Sequence, residues 1–168
     1  MKTNDRKITD LMATIHTGKT QLPDFQRGWV WDDGRIKALI ASITNGYPIG
    51  AAMFLEYGNE SIHFKSRVVE GAPSADKVTP DELILDGQQR LTSCYCAFYN
   101  LGNKSYFLDY IRLMELDKNS SVEEIEFAEL IIDKKHMDFP DQMLDKGLMP
   151  LSYIKDAKAM RELLKPYK

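Results

Sequence analysis

Apolar residues at Ile8, Leu11, Met12 and Ile15 recur at i, i+3, i+4 and i+7, which predicts an amphipathic helix over residues 7–17, stopped at Gly18. A short strand, Thr20-Gln21-Leu22, then reaches Pro23. Asp32 is a natural cap for a second helix whose inner face carries Ile36, Leu39, Ile40 and Ile43 and which Asn45-Gly46 would end. Residues 51–57 read as a strand, and residues 62–65 and 67–69 as one or two more beyond the Gly58-Asn59 turn. After the loop at residues 71–80, Glu82-Leu83-Ile84-Leu85 is a short apolar run bounded by Pro80-Asp81 and Gly87, the pattern of a buried strand. Leu91, Cys94, Tyr95 and Phe98 then follow at helical spacing as far as Leu101-Gly102.

Beyond Gly102 the pattern weakens. Tyr106, Phe107, Tyr110 and Ile111 favour a strand over residues 105–113. Ser121 to Glu124 offers a capping box for a short helix, although residues 126–132 suit a strand equally. Residues 133–149 show little periodicity, and a last helix is expected from Ser152 through Ile154, Met160, Leu163 and Leu164. The order describes a compact α+β domain, a small mixed sheet flanked by helices with a C-terminal extension. In it residues 19–34 and 86–91 are expected to converge on one cleft.

The chemistry concentrates where strand becomes helix, in Asp86-Gly87-Gln88-Gln89-Arg90. A strand that feeds a helix through glycine leaves unpaired N–H groups at the helix start, and an anion fits there. Gly87 permits close backbone approach, Arg90 adds a bidentate phosphate donor, and Gln88 and Gln89 add amides. A lone Asp-Gly turn has a plainer reading, in which Asp86 caps the helix and Arg90 pairs with it. A second polar constellation, Leu22-Pro23-Asp24-Phe25-Gln26-Arg27-Gly28-Trp29-Val30-Trp31-Asp32, shifts that balance. Asp24 and Asp86 are the carboxylates adjacent to the two boxes. Either suits holding a metal ion or orienting an attacking water, and either equally suits capping or pairing with Arg27 or Arg90. Trp29 and Trp31 point the same way in an extended segment. Core packing is the commoner role for tryptophan, an aromatic wall beside a base the alternative. His63 has no orienting partner near either box and reads as structural.

Composition narrows the classes. At 168 residues and 43% hydrophobic, the chain can bury one sizeable core. No apolar stretch approaches the ~18 residues needed to span a bilayer and no signal-peptide core follows Met1, so a cytoplasmic location without membrane contact is expected. Cys94 and Cys96 sit at i and i+2 of one predicted helix and cannot readily form a disulfide. The three scattered histidines have no companion cysteines at zinc spacing. Net charge is −3, with a surplus of +2 over residues 1–67 and −5 over residues 68–168. That argues against blanket neutralisation of duplex DNA while leaving local contact by the N-terminal half open. The sequence holds no P-loop, so nucleotide hydrolysis would need another phosphate cradle, and it holds no recognisable nuclease motif.

With the two boxes taken together, the chain from about Ile8 to Leu101 resembles the N-terminal domain of the GmrSD-type modification-dependent restriction endonucleases. That fold is similar to ParB and sulfiredoxin. Asp-Gly-Gln-Gln-Arg is the more distinctive motif and Phe-Gln-Arg-x-aromatic-x-Trp the second. The resemblance implies a nucleotide-binding, NTP-hydrolysing regulatory domain in a DNA restriction system of phage defence. It would control a nuclease domain outside this chain. Its nucleotide motif falls on Asp86, Gly87, Gln88, Gln89 and Arg90, and its upstream box on Gln26 and Arg27; Trp29 stands where the family often has tyrosine. Expected partners are a nucleoside triphosphate (GTP, ATP, CTP or UTP) with Mg2+, and modified DNA. Asp86 and Arg90 would be catalytic and Asp86 the metal ligand. The alternative is a non-catalytic sensor of nucleotide or modified DNA. The expected division is a ParB-like domain at residues 1–104, followed by residues 105–168 as its extension or the start of a truncated following region.

Overall fold

The computed structural model describes residues 5–44, 47, 49–58, 64–75, 77–119 and 127–153. In chain order the elements are α1 (Ile8–His16), β1 (Thr20–Pro23), α2 (Asp33–Thr44), β2 (Met53–Glu56), β3 (Ser66–Arg67), β4 (Glu82–Asp86), α3 (Gln88–Phe98), β5 (Lys104–Asp109), α4 (Tyr110–Asn119), β6 (Ile131–Lys135) and β7 (Leu148–Pro150). Short 3-10 turns occupy Phe127–Leu130, Pro140–Lys146 and Leu151–Tyr153. The architecture is α+β, with small sheets flanked by helices.

Contacts divide the chain into two units that interleave along the sequence: Met1–Trp31 with Gly50–Tyr95, and Asp32–Ile49 with Cys96–Lys168. The first holds a four-stranded sheet in the order β2-β4-β1-β3. β1 and β4 run parallel, with Thr20 opposite Glu82 and Gln21 opposite Leu83, while β2 and β3 are antiparallel to their neighbours. Parallel pairing brings the C-terminal ends of β1 and β4 to the same edge, so the residues that follow each strand emerge side by side. The core of this unit is built from Leu11, Met12 and Ile15 of α1, Leu22, Leu83 and Ile84 of the sheet, and Leu91, Cys94 and Tyr95 of α3, all buried. Each set follows the period of its element, as the sequence pattern predicts. The fully buried Tyr95 keeps its phenol hydrogen-bonded, with its hydroxyl 2.8 Å from His16 Nδ1.

The second unit holds the antiparallel sheet β6-β5-β7. Phe107, Met143 and Leu148 form its buried cluster, with Ile132 and Met137 packed against it. α2 starts as expected: Asp32 Oδ1 accepts from the Arg35 N–H at 2.9 Å, and Ile36, Leu39 and Ile40 are buried. At the same end Lys104 Nζ reaches both Asp33 (3.1 Å) and Asp133 (2.5 Å), Lys37 also pairs with Asp133, and the Tyr106 hydroxyl donates to Asp33 at 2.8 Å. Hydrogen bonds from Lys104 and Lys37 hold the Asp133 carboxyl down to about 2, and burial with its bond to Asp33 pushes Tyr106 far above the usual phenol range.

Several sequence expectations need correction. The strand expected over 105–113 ends at Asp109, because the Asp109 carboxylate accepts from the Arg112 N–H at 3.0 Å and caps α4; Tyr110 and Ile111 are helical despite their strand preference. The strand expected at 51–57 is shorter, at Met53–Glu56, and in place of strands at 62–65 and 67–69 the described residues form one at Ser66–Arg67, with residues 62 and 63 outside them. Residues 133–149 are ordered as strand, 3-10 turn and strand, and Gly147 takes the left-handed conformation between the last two. Asn45-Gly46, His63, the Ser121 capping box and the final helix from residue 154 onward lie outside the described residues; Ser152 itself lies in a 3-10 turn. Cys94 and Cys96 are buried free thiols, and burial pushes Cys94 up to about 12. Among the described residues no helix is long and apolar enough to cross a membrane.

Candidate functional site

In the first unit, the chain leaving β1 at Pro23 and the chain leaving β4 at Asp86 enclose a cleft of about 430 Å³. It is lined by Phe25, Gln26, Arg27 and Trp31 from the first segment and by Leu85, Asp86, Gly87, Gln88, Gln89 and Arg90 from the second. All seven candidate residues of the sequence, Gln26, Arg27, Asp86, Gly87, Gln88, Gln89 and Arg90, therefore meet in one place. Asp24 does not line it.

Gly87 makes the junction possible. Its φ is +89°, which L side chains rarely adopt, and a Cβ there would stand 3.1 Å from Ala52 Cβ. α3 opens directly after it, with the Leu91 N–H bonded to the Gly87 carbonyl at 3.0 Å. The N–H groups of Gln88 and Gln89 precede that bond and have no acceptor among the described residues. They supply the positive end of the helix to the cleft.

The three glutamines line the cleft and also bond to backbone groups of its walls. Gln26 Nε2 donates to the carbonyls of Ile84 (2.7 Å) and Leu85 (3.0 Å). Gln88 Nε2 donates to the Arg27 carbonyl at 2.7 Å, and Gln89 donates to the Gly28 carbonyl while accepting from the Val30 N–H. Gln26 thus ties the upstream box to the end of β4, and Gln88 and Gln89 tie the downstream box to the backbone of the upstream one.

The charged groups remain turned to the cleft. Arg27 is exposed, with no hydrogen bond or ion pair to its guanidinium among the described residues. Arg90 is three-quarters buried; Nη2 donates to the Ala51 carbonyl at 2.7 Å and stands 3.6 Å from Asp86 Oδ2. Asp86 itself is 72% exposed and, among the described residues, is the one carboxylate lining the cleft. Phe25, 62% exposed, meets Phe64 edge-on at 5.1 Å, and Trp31 is half-buried against the same space. Trp29 is also only half-buried, its indole N–H donating to Ser93 Oγ at 3.0 Å, so neither tryptophan is the core residue its type suggests. Among the described residues no cluster of three or more His, Cys, Asp or Glu could hold a metal ion.

Sequence reasoning missed Gly50, Ala51 and the Arg67-Glu70 pair. Gly50 has φ +88°, and a Cβ there would collide with the Arg90 guanidinium. A glycine followed by two alanines before a strand was the available signal. A second groove, of about 490 Å³, lies against Gln21, Ser66, Ala72 and Val78. The charged residue lining it is Arg67, already bonded to Glu70 and to the Gln26 and Arg27 carbonyls. Its larger size therefore counts for less than the two arginines and helix start of the first cleft.

Comparison with known proteins identifies the family. The chain is 30% identical over 169 residues to the uncharacterized protein MJ0686 of Methanocaldococcus jannaschii, an alignment covering 90% of this chain and 29% of that protein. No solved structure gives a significant match. The model of the GmrSD restriction endonuclease N-terminal domain matches residues 8–162, well past the two boxes and through both sheets, and the chain belongs to that family.

Proposed function

We propose that the cleft binds the phosphates of a nucleoside triphosphate, and that the chain is the nucleotide-dependent regulatory part of a restriction system. The observation that carries this reading is the convergence of Arg27, Arg90 and the first turn of α3 on one polar cleft. Phosphoryl groups are held by positioning and charge more than by covalent chemistry, and two guanidinium groups with helix-start N–H donors form such a cradle without a P-loop. Phe25 and Trp31 offer aromatic faces for a base at its mouth.

A single exposed carboxylate does not build a resident metal site. It does fit a magnesium ion that arrives on the triphosphate, which keeps most of its coordination on phosphate and water. Asp86 would contact such an ion or orient water, Arg90 and Arg27 would bind the phosphates, and the ion would supply neutralisation of phosphate charge. The wider reading follows the family: a ParB/sulfiredoxin-like domain, cytoplasmic, acting in phage defence by coupling nucleotide turnover to a nuclease domain outside these residues, with modified DNA as the signal. A purely sensing role without turnover is the second reading. It is favoured by one observation, that Asp86 stands next to Arg90 rather than beside a second carboxylate.

A thermal-shift screen against ATP, GTP, CTP and UTP with magnesium, paired with phosphate-release measurement, tests both. Ligands of the native state raise the melting temperature by mass action. A rise with at least one triphosphate supports the cleft, and slow phosphate release separates hydrolase from sensor. No rise with any of the four overturns it.

A further inference from the structure

Arg67 lies on β3, some 40 residues from the upstream box and about 20 from the downstream one, and opposite Leu22 at the end of β1. That register carries its guanidinium to the loop that β1 feeds. Nη2 donates to the Gln26 carbonyl at 3.2 Å and to the Arg27 carbonyl at 3.3 Å, while Nη1 donates to Glu70 Oε1 at 3.0 Å. The same Glu70 oxygen accepts from the Trp29 N–H at 3.2 Å. The segment from Gln26 to Trp31 has no regular secondary structure, so its backbone groups must find partners elsewhere. Arg67 and Glu70 supply them from outside, Gln88 and Gln89 from the cleft side.

We infer that Arg67 and Glu70 form a positioning pair that sets the loop bearing Arg27, and thereby the phosphate affinity of the cleft, without touching the nucleotide. The inference rests on the proposed nucleotide site for its effect on affinity, and on geometry alone for its effect on the loop. A fork-shaped guanidinium is needed, because one group must span two carbonyls on one side and a carboxylate on the other. A lysine ammonium carries its three donors on one nitrogen and cannot span that distance.

Hydrogen exchange and nucleotide titration on the full chain test it, using Arg67→Ala, Arg67→Lys and Glu70→Gln beside the wild type. In all three variants the Trp29 and Val30 amides should exchange at least about tenfold faster, while those of Leu91 to Phe98 keep wild-type rates. Affinity for whichever magnesium nucleoside triphosphate binds the wild type should fall about tenfold in Arg67→Lys as well as in Arg67→Ala. Uniform acceleration of all amides would overturn the inference by making the pair a general support of the fold, and so would wild-type behaviour in Arg67→Lys. If the wild type binds no triphosphate, the nucleotide reading fails, and the amide pattern at Trp29 and Val30 still decides the role of Arg67 in the loop.

Discussion

Gly50 leaves room for Arg90: its missing Cβ would lie within the space of the Arg90 guanidinium, which reaches past it to the Ala51 carbonyl. A glycine with φ +88° thus fixes where a charge 40 residues later can stand. Gly50→Ala should displace Arg90 and strain the backbone. Stability should fall by roughly 1 kcal/mol or more, and triphosphate affinity should fall about as far as in Arg90→Ala. Denaturant unfolding and calorimetric titration of the two variants check this; full affinity in Gly50→Ala would show that Arg90 does not act from its present place.

The two arginines should separate by their effect on the fold. Arg27 is exposed and its side chain makes no bond among the described residues, so Arg27→Ala should leave the melting temperature unchanged while weakening triphosphate binding. Arg90→Ala should weaken binding by one to two decades, equivalent to losing roughly 1.5–3 kcal/mol of charge-assisted hydrogen bonding. It should also cost a little stability through the Ala51 carbonyl. Equal affinity of wild type and Arg90→Ala would remove the phosphate cradle.

Gln88 should act mainly as a structural link. It is 92% buried by its 8% exposure, and its amide holds the Arg27 carbonyl at 2.7 Å. Gln88→Leu should destabilise the ligand-free protein by about 1 kcal/mol, a drop of roughly 2–4 °C in melting temperature. An unchanged ligand-free melting temperature with lost nucleotide binding would return Gln88 to a direct ligand role.

A pH effect is expected from the second unit. Asp133 is held down to about 2 by Lys104 and Lys37, below its ordinary 3.8. A carboxyl depressed in the folded state contributes stability above its unfolded value and loses it as pH falls through the folded one. Melting temperature should therefore decline between about pH 4 and pH 2, and Asp133→Asn should flatten that stretch of the profile. An identical decline in the variant would assign acid sensitivity to other groups.

The parts of the fold that were legible in the sequence are those with local punctuation. α1, α2, β4 and α3 carry clear periods bounded by Gly18, Asp32 and Gly87, and the structure places them close to those bounds. The convergence of the two boxes follows from β1 and β4 running parallel, a pairing that neither strand's sequence states. α4 was hidden because Tyr110 and Ile111 prefer strands, and one capping carboxylate at Asp109 outweighs them. Residues 133–149 were hidden because 3-10 turns and three-residue strands are too short to show a period.

In the site, residue types were legible and their partners were not. Arginine, aspartate and glycine could be assigned to the cleft from the strand-to-helix junction. An amide names no partner in sequence, and the glutamines bond to backbone carbonyls some 58 to 61 residues distant. Arg67 and Glu70 left no sequence signal, since a charged pair three residues apart beside a two-residue strand reads as ordinary surface.

Phosphates held on the first turn of α3 would perturb its amides, and amide chemical shifts report on that turn directly. Titrating the magnesium complexes of the four nucleoside triphosphates into the isotopically labelled chain should move the N–H resonances of Gly87, Gln88 and Gln89 most, with Arg27 next. Arg90→Ala should abolish the movement at matched concentrations. Shifts concentrated elsewhere, or none with any of the four, would contradict the account.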